Sequence, residues 1–132
     1  MFLGADWLAL ARELFAAVPP SPGATARVQR VVTGAPGGDV VFTLAFEDGR
    51  VVDAALAEGN EPDPDAELTI TTTYPDTLAL ESGDLDLNVA VMQGRAKVAG
   101  SMRALLAILP ATRSQGFRAA RAALHERTAA PD

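Results

Sequence analysis

The chain has 132 residues, 48% of them apolar and 21% charged, enough for one domain that buries roughly two thirds of its unfolded surface. Cysteine is absent, which excludes a disulfide framework, a thiolate zinc site and a cysteine nucleophile. A net charge of −6 argues against general nucleic-acid binding.

The apolar opening at Met1-Phe2-Leu3 has no basic segment before it, and Asp6, Arg12 and Glu13 interrupt the residues after it, unlike a signal peptide. No stretch approaches the ~20 apolar residues of a membrane helix, so a soluble, cytoplasmic protein is expected. Asp6 is placed as an N-cap, and Trp7, Leu8, Ala11, Leu14, Phe15 and Val18 form one apolar stripe of a helix over 5–18. Pro19-Pro20 ends it, and 21–25 reads as a linker.

Val28 to Val32 is a first short strand, followed by a Gly/Pro turn over 33–39. Val40, Phe42, Leu44 and Phe46 then alternate with Val41, Thr43 and Ala45, and the aromatic face belongs under helices. Asp48-Gly49 signals a two-residue hairpin. The return strand over 50–57 is expected to turn Val52, Ala54 and Leu56 to one side. Residues 58–66 are an acidic loop, and 67–72 a β-branched strand. Thr73 is placed to cap a helix through Leu80, with Asp76 three residues on and Gly83 ending it.

Residues 84–93 fit two patterns. Leu85, Leu87, Val89 and Val91 alternate as in a strand, whereas Leu85, Val89 and Met92 also fit a helix. Ser101 is an N-cap for a strongly apolar helix carrying Met102, Leu105, Leu106 and Leu109, which should be covered on more than one side. Pro110 is expected to stop it. A last helix over 112–128 sets Phe117, Ala120 and Leu124 on one face, with Arg118 and Arg121 beside them.

Signals for catalysis are weak. His125 has no serine or carboxylate at triad spacing, and no Gly-x-Ser-x-Gly elbow occurs. The glycines of 94–101 and 34–38 lack the spacing of phosphate or dinucleotide loops. Asp63, Asp65 and Glu67 begin like a calcium loop, but Leu68 stands where its glycine belongs and Tyr74 where its last ligand belongs. No catalytic residue, metal site or cofactor is expected. Charge is segregated: Asp39 to Asp86 holds thirteen acids and one base, Arg95 to Arg127 seven bases and one acid.

The ordered run Gly83, Leu85, Met92, Gly94, Arg95, Lys97, Gly100 and Met102 resembles the sterol carrier protein type 2 family. Phe46-Glu47-Asp48-Gly49 and the stretch Asp63 to Ile70 agree, so the similarity spans roughly residues 28–110. The resemblance implies an α+β fold, a five-stranded, mostly antiparallel sheet covered on one face by helices and enclosing an apolar tunnel. It also implies a helix over 86–93 and a strand over 95–99. The chain is then a single domain, 1–132, around a core of 28–110.

The function this implies is non-catalytic binding or carriage of an apolar lipid, a fatty acyl chain, sterol or isoprenoid. The expected tunnel lining is Phe42, Leu44, Phe46, Val89, Met92, Met102, Leu105, Leu106 and Leu109, with Phe117 closing it. Gln93, Arg103 and Arg113, with Ser101, are mouth candidates by proximity in sequence alone. The alternative is a scaffold or dimerisation module using the same apolar groove for a protein partner. Further expectations are a homodimer and transient contact between the basic C-terminal third and an anionic membrane.

Overall fold

Strand alternation decides which face of the sheet must be covered. The structure, a computed structural model, describes residues 3–16, 23–57 and 63–129. In chain order the elements are α1 (Ala5–Ala16), β1 (Ala26–Thr33), β2 (Val40–Glu47), β3 (Arg50–Leu56), β4 (Leu68–Thr73), α2 (Tyr74–Ser82), α3 (Leu87–Met92), β5 (Lys97–Gly100), α4 (Met102–Thr112) and α5 (Gln115–Ala129). The sheet order is β3-β2-β1-β4-β5. Only β1 and β4 pair in parallel; the other three pairings are antiparallel. This is the α+β fold expected, and residues 87–92 and 97–100 take the helix and strand that the resemblance implied.

Register places Val28, Arg30 and Val32 of β1 beside Leu44, Phe42 and Val40 of β2, and beside Leu68, Ile70 and Thr72 of β4. That row faces the helices. Phe46, Leu68 and Ile70 pack with Ala11, Ala104, Ile108, Ala120 and Leu124 in one buried cluster. The opposite face mixes Arg27, Gln29 and Thr43 with Val31, Val41 and Ala45, and Asp63 lies on it: Gln29 Oε1 accepts from Asp63 N at 2.6 Å, and Arg27 Nε donates to the Asp63 carboxylate at 2.6 Å. The acids that began like a calcium loop therefore hold protein groups; Glu67 accepts from Arg27 N and from Arg103.

The β2–β3 turn has positive φ at Asp48 (50°) and Gly49 (83°), as a two-residue type I′ turn requires. Next to it Ala45 pairs with Asp53 but Phe46 with Val51, leaving Val52 as the extra residue of a bulge. Val51 consequently turns inward at 2% exposure and Val52 outward, the reverse of simple alternation from Val52. Thr73 caps α2 by accepting from Asp76 N, and Gly83 N donates to Leu80 O at its end.

Three helix expectations are corrected. Asp6 sits in the first turn of α1, not at its cap, because Leu8 N already donates to Gly4 O; an acid there still favours the helix dipole. Pro110 lies inside α4, which runs on to Thr112. Proline removes one hydrogen bond, and Leu106, whose carbonyl would have accepted it, is exposed, so solvent can serve that carbonyl. Finally, α4 buries Ala104, Leu105, Ile108 and Ala111, a face turned away from Met102 and Leu106. The helix is covered on one side only. The predicted end of α1 at 17–18, the linker up to 22 and the loop at 58–62 lie outside the described residues.

Gly100 ends β5 with φ 111°, and a Cβ there would stand 2.5 Å from Glu67 O. The same carbonyl accepts from Ser101 N at 2.8 Å, so it cannot retreat freely. Gly100→Ala is expected to destabilise by about 1–3 kcal/mol, read as a lower urea midpoint.

Candidate functional site

The inward row of the sheet and the helices above it do not close completely. Between them lies a mostly apolar cavity of about 150 Å³. Its floor is Val28, Arg30, Phe42, Leu44 and Phe46 of β1 and β2; α1 supplies Trp7, Ala11 and Phe15, and α5 supplies Phe117, Arg121 and Leu124. Thr77 and Glu81 of α2 and Ile108 of α4 complete it, with Leu85 to Leu87 between. A cavity of this size holds a benzene-sized guest and is smaller than the ~300–1,000 Å³ of sites for drug-sized ligands.

Of the residues singled out from sequence, Phe42, Leu44, Phe46 and Phe117 meet in this lining. Phe117 is an aromatic plug: its ring centre lies 4.6 Å from that of Phe15 and 6.4 Å from that of Phe46, nearly parallel to the latter. Leu105 is buried in the core, and Leu109 packs against it, but neither lines the cavity. Val89, Met92, Met102 and Leu106 are 37%, 86%, 59% and 63% exposed and lie outside it. For α4 the reason is its rotation about its own axis; α3 is a short helix that turns Ala90 inward and Val89 and Met92 outward.

The mouth candidates are scattered. Gln93 is the exposed C-cap residue of α3, and Arg103 pairs with Glu67 at 3.2 Å. Arg113 alone touches the site, through Asp86: Arg113 Nε donates to that cavity-lining carboxylate at 3.3 Å. Asp86 also caps α3, accepting from Asn88 N and Val89 N. Burial pushes its carboxyl up, but hydrogen bonds from Arg113, Asn88 and the Val89 amide outweigh that and leave it below the usual carboxylate range.

Sequence reasoning missed the cavity's charged members. Glu81 is buried, with Oε2 3.0 Å from His125 Nδ1. Arg30 stands on the floor, its guanidinium carbon 5.8 Å from the Phe42 ring centre. The signal was available: Arg30 is two residues from both Val28 and Val32, so strand alternation puts it on their side. Burial lowers its pKa to about 10, which leaves it cationic at neutral pH. Among the described residues, no cluster of histidine and acidic side chains is arranged to hold a metal.

The SCP-2 sterol transfer family matches residues 22–110. Among solved structures, a crystal structure of sterol carrier protein 2 matches with a TM-score of 0.73 at 17% identity, covering 92% of this chain and 98% of that one. A conserved hypothetical protein from Thermus thermophilus gives 0.72 at 19% identity, covering 94% and 90%. A palmitated sterol carrier protein 2-like protein from Aedes aegypti gives 0.62 at 14% identity, covering 83% and 95%. No curated protein matches the sequence.

Asp86→Ala should cost about 1–2 kcal/mol through the lost cap. Because the folded carboxyl titrates below its unfolded value, the ionic part of that stability is present above the ordinary carboxylate pKa and disappears as pH falls through the folded one. The gap in urea midpoint between the wild type and Asp86→Asn should therefore shrink on acidification from neutral pH to about 3.

Proposed function

Because the chain belongs to the SCP-2 sterol transfer family, we propose that it binds and carries one apolar lipid in the cavity beneath α1 and α5, without chemistry of its own. The observation that carries this reading is the unfilled apolar space against Phe42, Leu44 and Phe46. A close-packed interior has few voids larger than water, and each methylene buried there contributes about 0.8 kcal/mol. A full-length acyl chain or sterol exceeds the observed volume. Entry of such a guest displaces Phe117, and α5 with it, away from α1, α2 and α4, on which it packs. A protein partner fits the site less well, because α1 and α5 roof it.

The exposed Met92, Met102 and Leu106 favour a second contact, with the lipid surface from which the cavity is filled. They stand on α3 and α4, which pack together, and flexible methionine suits an irregular apolar surface. The basic C-terminal third is a weaker attractor than its charge suggests. Arg95, Arg103 and Arg113 are paired with Asp76, Glu67 and Asp86. Among the described residues, no helix is long and apolar enough to cross a membrane.

Native mass spectrometry of freshly purified protein should show a retained lipid; solely unliganded protein, together with no uptake of added lipid, would sink the carrier reading. Leu44→Trp, which fills the floor, is expected to lower uptake of a fluorescent lipid at least about tenfold while circular dichroism stays native. Met102→Trp, outside the cavity, should leave uptake in solution as it was. For the surface contact, Met92→Asp with Leu106→Asp should slow transfer from vesicles without changing equilibrium affinity, and an unaltered rate would remove that contact.

A further inference from the structure

Arg30 is a cation in the wrong place for a purely apolar tunnel. Its Nη2 donates to Thr72 Oγ1 at 3.3 Å, but its Nε is sealed from solvent with no hydrogen-bond partner, although the residue as a whole keeps some exposure. The threonines it leans on are already committed. Thr77 Oγ1 donates to Thr73 O at 2.7 Å, so Thr72 must donate across the 2.6 Å contact to Thr77, leaving only a lone pair for Arg30. The Arg30 side chain is thereby oriented but not neutralised.

No carboxylate among the described residues lies within ion-pair distance of Arg30. Of the two acids that line the cavity, Asp86 holds Arg113, while Glu81 holds His125 through Oε2 and keeps Oε1 sealed without a hydrogen-bond partner. The cavity's other arginine, Arg121, lies over the turn after α2, its Nη2 2.9 Å from where a Gly83 Cβ would be, and its Nε is likewise sealed without a partner. A buried charge without a counter-charge is expensive to maintain. An anionic guest would supply the missing counter-charge.

We propose that Arg30 receives the carboxylate of a single-chain acid seated head-inward in the cavity, its chain running along Phe42, Leu44 and Phe46. The proposal rests on the lipid-carrier reading and deepens it. Guanidinium chemistry favours a carboxylate: Nε and an adjacent Nη form a planar fork that matches its two oxygens. A phosphate monoester is bulkier than a carboxylate and carries nearly two negative charges, one of which would face the unpartnered Glu81 oxygen of the same cavity. Thr72 and Phe42 hold the fork in place on the sheet, the most rigid side of the cavity.

The test compares sodium dodecanoate with methyl dodecanoate, titrated into the full chain and read by fluorescence of its single tryptophan, Trp7, which lines the cavity. The acid should bind more tightly than the ester by roughly tenfold or more. Arg30→Met should abolish that difference, and Arg30→Lys should restore part of it. Carbon-13 NMR of carboxyl-labelled dodecanoate should show its titration moved downward on the wild-type protein and back toward the free value on Arg30→Met. Equal affinity for acid and ester, or an acid preference that survives in Arg30→Met, overturns the role of Arg30 while leaving the carrier reading intact. Tighter binding of dodecyl phosphate than of dodecanoate overturns the carboxylate assignment. Failure of acid and ester alike to bind overturns this proposal, and overturns the carrier reading as well when native mass spectrometry also finds no retained lipid.

Discussion

The interior depends on one pairing: β1 held between β2, antiparallel, and β4, parallel. Both edges of β1 are hydrogen-bonded, so its inward residues cannot escape to a sheet edge, and Val28 and Val32 are among the most buried side chains. The pairing also aligns Thr72 with Val32 and carries β4 straight into α2 at Thr73. That places Thr77 against Thr72 and fixes one polar corner of a mostly apolar cavity. A one-residue slip would turn Arg30 to the solvent face and Gln29 inward. Register and site are therefore one constraint.

The charge asymmetry of the chain acquires an internal meaning in the fold. Of the five ion pairs among the described residues, four join the acidic segment to the basic one: Arg95 to Asp76, Arg103 to Glu67, Arg113 to Asp86 and His125 to Glu81. Most are substantially exposed, and water and salt weaken such contacts. Their effect is positional. They match α4 to the start of β4, the α3–β5 turn to α2, and α5 to α2. Segregation that reads along the chain as two surface fields becomes, in three dimensions, a set of fasteners between the sheet's far half and the helices.

Most of the architecture was legible because it rests on local rules: alternation in β2, turn chemistry at Asp48-Gly49, and side-chain caps at Thr73 and Ser101. The residues of α3 were not, since period two and period 3.6 both fitted them, and only the likeness to a known family separated the two. The site was less readable than the fold. Alternation in β2 was enough to set Phe42, Leu44 and Phe46 side by side, and they line the cavity floor. The methionines misled, because adaptability of a side chain says nothing about which way its helix is turned. The rotation of α4 follows from packing of Ala104 and Ile108 against the core, a property of tertiary fit that composition does not carry. Arg30 was readable in principle, but a single charge in a strand invites the assumption that it faces water.

Phe117 gives the hollow a measure of length. Wedged between Phe15 and Phe46, it leaves room for a short run of methylene groups and no more. Each carbon added to a guest up to that limit gains shelter from water. Each carbon beyond it must dislodge the ring or remain wet. For the lipid guest proposed above, the hollow would act as a ruler with a spring at one end, and the length it accepts would depend on how firmly one aromatic ring is clasped.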